Sequence, residues 1–113
     1  MKQVFLDNDW EYIYRQTRRN TLTGIEEAAA GLTGMQAWFS ATDQGATIHS
    51  DLVKNLSERA STPGEYSAIL DGDVIRSRLS AYAGNRLFEV FGDGTNVSTS
   101  LPVRVLATRR PAT

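Results

Sequence analysis

His49 is the one histidine of the chain, and Asp51 follows two residues later. In an extended segment that spacing puts both side chains on one strand face. An imidazole oriented by a carboxylate is what a general base requires. No motif supplies the nucleophile of a triad, and the competing reading is a surface histidine at a polar strand end. Asp71, Asp73 and Asp93 offer carboxylates that a calcium ion could use. Asp71-Gly72-Asp73 lacks the further ligands and closing glutamate of a calcium loop. A helix cap explains that triplet, and a hairpin turn explains Gly92-Asp93-Gly94-Thr95-Asn96. Gly92 and Gly94 lack the third glycine and following helix of a dinucleotide fingerprint. No catalytic, metal-binding or cofactor-binding residue is assigned, so the expectation is a non-enzymatic protein with no cofactor.

Two other groups could bind rather than react. Arg15, Arg18 and Arg19 form one basic cluster, and Arg109 and Arg110 form a second. Such clusters beside aromatics can meet nucleic acid, but the net charge is −1. Rim contacts with a protein partner are therefore expected, with no specific nucleic acid. Trp10, Tyr12 and Tyr14 recur at period two, as half of a strand-built core would. If Trp10 and Trp38 face water instead, they form an aromatic platform for sugars or bases.

These groups sit on elements that the pattern outlines. Lys2 to Leu6 is β-prone, Asp7-Asn8-Asp9 is a turn, and Trp10 to Gln16 is a strand. Thr17 to Thr23 reads as a polar loop. Gly24 to Gly31 fits either a single helical turn or an extended loop. Leu32 to Thr42 is the central strand, with Trp38 on the face opposite Met35, Ala37 and Phe39. Asp51 to Ala60 fits either a short helix or a strand at its start, with strand preferred over 55–60. Thr62-Pro63-Gly64-Glu65 is a type II turn, because proline presets φ and glycine accepts the positive φ that follows. Its arms are 55–60 and Tyr66 to Leu70. Ile75, Leu79 and Tyr82 at helical spacing predict one short α-helix over 73–82, capped by Asp71 or Asp73 and stopped near Gly84. Arg86 to Phe91 and Val97 to Thr108 are the last strands, and Pro102 argues for an edge position.

The sum is a mainly β domain of about six or seven strands with turns every ten or so residues, the pattern of an antiparallel β-sandwich. A length of 113 residues suits one domain, 1–113. The ends 1–9 and 108–113 are candidates for flexible or assembly-ordered segments. The absence of cysteine excludes disulfides, thiolate chemistry and cysteine-bound zinc. No apolar run is long enough to span a bilayer, and Lys2 and Asp7 interrupt the start too early for a signal peptide. Cytoplasmic synthesis and no membrane partner are expected.

Trp10-Glu11-Tyr12-Ile13-Tyr14, then Leu22-Thr23-Gly24, a strand, and Pro63-Gly64-Glu65-Tyr66 with a further strand form a succession. It resembles small structural domains of tailed-bacteriophage virions. The likeness continues from Gly64 through the helix to Val105. Two departures stand out: the insert Ile25 to Gly31 delays the next strand, and a second Leu32-Thr33-Gly34 directly precedes it. The resemblance implies an immunoglobulin-like β-sandwich and a virion structural protein assembled in the bacterial host cytoplasm. It would bind in multiple copies to the capsid or head–tail neck, as decoration or connector. Its partners would be major capsid, portal, neck or tail proteins, with a homo-oligomer in a symmetric assembly. A tail or baseplate part, or a host-surface carbohydrate-binding module, is the alternative. No catalytic residue is carried over by the likeness.

Overall fold

A computed structural model describes residues 2–6, 8–43, 45–93 and 97–107. The described residues form a mainly β protein of ten strands with one short α-helix. In chain order the strands are β1 (Lys2–Phe5), β2 (Trp10–Arg15), β3 (Thr17–Arg19), β4 (Glu26–Ala28), β5 (Gln36–Ser40), β6 (Lys54–Asn55), β7 (Ser57–Glu58), β8 (Glu65–Leu70), β9 (Arg86–Gly92) and β10 (Val97–Leu106). The helix α1 (Gly72–Leu79) precedes β9. A five-stranded sheet has the order β1-β10-β9-β5-β6, a three-stranded sheet β2-β8-β7, and β3-β4 forms a separate ribbon. All pairings are antiparallel except β1 with β10.

The core lies where the two larger sheets face each other. Tyr12 and Tyr14 from β2 meet Phe39 of β5 and Phe91 of β9, with ring centroids 5.4 to 6.3 Å apart. Offset and tilted contacts of this kind add to the burial of large apolar area. Val4, Leu87, Val103 and Val105 complete the large sheet's inward face, and Leu52, Ile75 and Leu79 are fully buried against the same core. The period-two stripe Trp10, Tyr12, Tyr14 is thus a core face, with only Trp10 left half-buried.

Several sequence expectations meet their structures here. The Thr62–Glu65 turn closes with the Glu65 N–H on the Thr62 carbonyl at 3.1 Å, and Gly64 has φ +84. The expected hairpin forms, with Ser57 opposite Ser67 and Glu58 opposite Tyr66. The helix starts at Gly72, with the Asp71 carboxylate accepting from the Asp73 N–H at 2.8 Å. Its last turn, Ser80–Tyr82, tightens to a 3₁₀ helix. Over 51–56 both readings contribute: Ser50–Leu52 is a 3₁₀ turn and Lys54–Asn55 is strand β6. Pro102 faces Phe88 of β9 in strand β10, which lies inside the large sheet between β1 and β9, so the expected edge position is not met. Lys2–Phe5, placed within a flexible or assembly-ordered end, is strand β1.

Three further expectations are corrected. Thr17–Arg19 is strand rather than loop, and Glu26–Ala28 is strand rather than a helical turn or loop. The strand count rises from six or seven to ten among the described residues. The excess comes from this ribbon and from the division of the 54–58 stretch into β6 and β7, each too short to show a period. Between them the chain crosses from one sheet to the other, while the Leu56 N–H still bonds the Met35 carbonyl at 2.8 Å.

The ribbon stands off the body. All six of its strand residues are exposed, and the described residues extend 55 × 30 × 21 Å. Their radius of gyration, 15.4 Å, exceeds the roughly 13 Å of a compact chain of this length. Gly64 closes the ribbon's root: a Cβ there would lie 2.8 Å from Ala28 Cβ and 3.1 Å from the Gln16 carbonyl oxygen. Gly64→Ala therefore meets both a left-handed backbone and a blocked space. We expect a loss of about 2 kcal/mol or more, read from urea unfolding; a loss indistinguishable from zero would contradict the packing described.

Candidate functional site: a projecting arm and a buried carboxylate

The arm is built from two short strands with opposite charges in register. Arg18 faces Glu27 and Arg19 faces Glu26 across the ribbon. Asn20 turns the tip, its side-chain oxygen accepting from the Leu22 and Thr23 N–H groups at 2.9 and 3.3 Å. Leu22 is 94% exposed and Ile25 64%. A free two-stranded hairpin is marginal in water, so its root is tied down. The buried Tyr66 hydroxyl donates to the Ala29 carbonyl at 2.6 Å and accepts from the Leu32 N–H at 2.9 Å. The Glu58 carboxylate accepts from the N–H groups of Gly31 at 3.0 Å and Gly64 at 2.9 Å. These backbone donors hold the Glu58 carboxyl below its ordinary range. An open cleft of about 310 Å³ lies at the root, lined by Arg15, Thr17, Glu27, Ala28 and Pro63 among others.

The basic residues separate. Arg15 ends β2, with its Nε on Glu65 Oε2 at 2.7 Å, and Arg59 Nη1 takes Glu65 Oε1 at 2.9 Å. Glu65 is buried and is matched from both sides. Arg18 and Arg19 stand on the arm, where the Arg19 Nε reaches the Gly24 carbonyl at 3.3 Å. Arg109 and Arg110 lie outside the described residues. His49 caps the 3₁₀ turn: its Nδ1 accepts from the Asp51 N–H at 3.0 Å. Asp51 is taken by Arg78, with Oδ2 at 2.7 Å from Nη2. The His49–Asp51 pair thus serves local structure in this geometry. Among the described residues no group of three or more His, Cys, Asp or Glu is arranged to hold a metal ion.

Neither tryptophan leaves its indole N–H to solvent. The Trp10 indole N–H donates to Glu89 Oε2 at 2.7 Å, and the Trp38 N–H donates to the Gly45 carbonyl at 3.0 Å. Trp38 sits on the outer face of the large sheet opposite Val90, which is fully buried. Both are half-buried.

Glu89 was not among the residues singled out, although the alternation Leu87, Glu89, Phe91 already puts it on the apolar face of its strand. It is fully buried. Besides Trp10 it has Lys2, whose Nζ lies 3.5 Å from Oε1 and also sits 5.8 Å from the Trp10 ring centroid. Oε1 has no hydrogen-bond partner among the described residues. Burial raises the Glu89 carboxyl above its ordinary value, with Lys2 and Trp10 pulling it back in part. The same burial, with the Glu89 charge nearby, raises the Tyr12 hydroxyl, which donates to the Leu52 carbonyl at 2.7 Å.

Two outcomes follow from these groups. A carboxyl whose folded pKa is raised binds its proton more tightly folded than unfolded. Its contribution to stability is therefore greatest at low pH and declines as pH rises through the raised range. Relative to wild type, Glu89→Gln should gain stability between pH 4 and pH 7, measured by urea unfolding at each pH. An identical difference at both would show that burial does not perturb Glu89. Tyr12→Phe removes the bond to Leu52 and strands a buried carbonyl, for a loss of about 1–2 kcal/mol in the same assay. Comparison with known proteins finds no matching family model, curated protein or solved structure.

Proposed function

We propose that the chain is a non-enzymatic structural protein of a tailed-phage virion, bound in several copies to the capsid or the head–tail neck. The observation that carries this reading is the arm. A leucine almost wholly in water at the tip of a tethered ribbon is an apolar contact waiting for a neighbouring subunit. The charged flanks keep the free chain soluble and give the contact its direction. Many weak contacts of this kind hold firmly when repeated on a symmetric scaffold.

The strand order supports the implied immunoglobulin-like sandwich. β10-β9-β5-β6 take the places of strands G, F, C and C′, and β2-β8-β7 those of B, E and D. Strand β1 then joins the last strand in parallel. The pair Tyr12 and Phe91 spans β2 and β9, where antibody domains carry their inter-sheet disulfide. The sequence likeness to virion domains supports the location. For the carbohydrate-binding alternative, both indole N–H groups are already committed inside the protein.

In particles purified from cells carrying the gene, the chain should co-sediment with the capsid protein at a fixed ratio. Leu22→Asp with Ile25→Asp should leave the melting temperature of the isolated chain unchanged, since both positions are exposed. Uptake into particles should fall about tenfold or more, the equivalent of losing roughly 1.4 kcal/mol of contact. Wild-type chain missing from purified particles overturns the virion reading; undiminished uptake of the double variant removes the arm from it.

A further inference from the structure

We propose that two copies of the chain pair edge to edge along β2, antiparallel about a twofold axis, with Ile13 opposite its own counterpart. Among the described residues β2 pairs with β8 alone, so it is one edge of the three-stranded sheet. The direction of its backbone groups follows from neighbouring bonds. The Gln16 N–H donates to the Gly64 carbonyl, and the Gln16 carbonyl accepts from Ala29. The Glu65 carbonyl is taken from the opposite side by the Arg59 N–H. Hydrogen-bonded and non-hydrogen-bonded pairs alternate along an antiparallel ladder. Trp10, Tyr12 and Tyr14 therefore bond β8, while Glu11, Ile13 and Arg15 turn their N–H and C=O groups outward.

The side chains of those three residues share one face as well. Tyr12 and Tyr14 are buried, whereas Glu11 and Arg15 are exposed and Ile13 is half-buried. Glu-x-Ile-x-Arg is self-complementary when read antiparallel. Centring the pairing on Ile13 sets Glu11 of one copy opposite Arg15 of the other, twice, around an Ile13–Ile13 contact. All three pairs are then of the hydrogen-bonded kind, giving about six new backbone bonds. A shift by one residue would lose both the bonds and the charge match. Edge strands usually protect themselves with charges that repel a second copy; here the charges attract one. Both charged ends are already engaged within their own chain, Arg15 by Glu65 and Glu11 by Arg59 through Oε2. The Arg15 side chain is 77% exposed and has further donors, and the Glu11 side chain is 39% exposed and has a second carboxylate oxygen to offer. The occupant is a second copy because the edge complements itself.

The proposal rests on the assembly reading only in supposing that copies meet, and it fails separately: a monomer in solution leaves uptake into particles untouched. The test is light scattering on the full chain, with cysteines introduced into a chain that has none. The wild type should be a dimer at high micromolar concentration. Residues in a hydrogen-bonded pair have Cα atoms about 5.5 Å apart, within disulfide reach, so Ile13→Cys should cross-link under mild oxidation at least about tenfold faster than Glu11→Cys. The two Glu11 positions would be about 14 Å apart in this register. Arg15→Glu should abolish the dimer, and circular dichroism checks that each variant remains folded. A monomeric wild type overturns the proposal. So does a dimer in which Ile13→Cys cross-links no faster than Glu11→Cys, because its interface would lie elsewhere.

Discussion

Burial of one face of β2 is the constraint on which the remaining structure depends. Tyr12 and Tyr14 close the three-stranded sheet onto Phe39 and Phe91 of the five-stranded sheet. Each fully buried aromatic of this size contributes on the order of 2–3 kcal/mol. A slip of one residue would exchange them for Glu11, Ile13 and Arg15. The register with β8, from Trp10 opposite Leu70 to Arg15 opposite Glu65, is fixed by that penalty. The fixed register in turn decides which backbone groups of β2 face outward and where the chain leaves for the arm.

The core is apolar in its middle and polar at its margins. Tyr12 and Tyr66 bury their rings and hand their hydroxyls to backbone groups of Leu52, Ala29 and Leu32. Those bonds tie connecting segments to the sheets, so the same side chains supply packing and direction. Glu89 is different in kind. A buried charge costs more than its partners return unless every lone pair is met, and among the described residues its Oε1 is met only by Lys2 at 3.5 Å. What Glu89 gains for the protein is a tether between strand β1, through Lys2, and the start of β2, through Trp10.

The arm inverts the logic of the body. Its strand residues are exposed, and beyond its own backbone pairing it is held at its root. There Glu58, Tyr66 and the bare Cα of Gly64 hold the ribbon against the turn of the β7–β8 hairpin. A ribbon held in this way keeps its tip at a defined distance from the core without a second core to support it. Exposed apolar groups lie at that tip, and among the described residues β2 keeps one edge without a partner strand.

Local chemistry was legible in the sequence. The Pro63-Gly64 turn, the Asp71-capped helix and the aromatic alternation of β2 each depend on residues a few positions apart, so propensity and period were enough to find them. The alternation of Leu87, Glu89 and Phe91 likewise marked a face, though nothing in it said that a carboxylate would be sealed in by Trp10 and Lys2, 79 residues and more away along the chain. The ribbon escaped because Thr17–Arg19 and Glu26–Ala28 have no buried face, and without burial there is no period to read. The break between β6 and β7 escaped because two-residue strands take their separate places only through the sheets they join. Sequence alone determined the β-rich character, the turns and the helix, since these follow from backbone preference and side-chain alternation. Only the tertiary structure decided the strand order, the buried carboxylate, the projecting arm and the open edge of β2, because each depends on pairing between segments far apart in the chain.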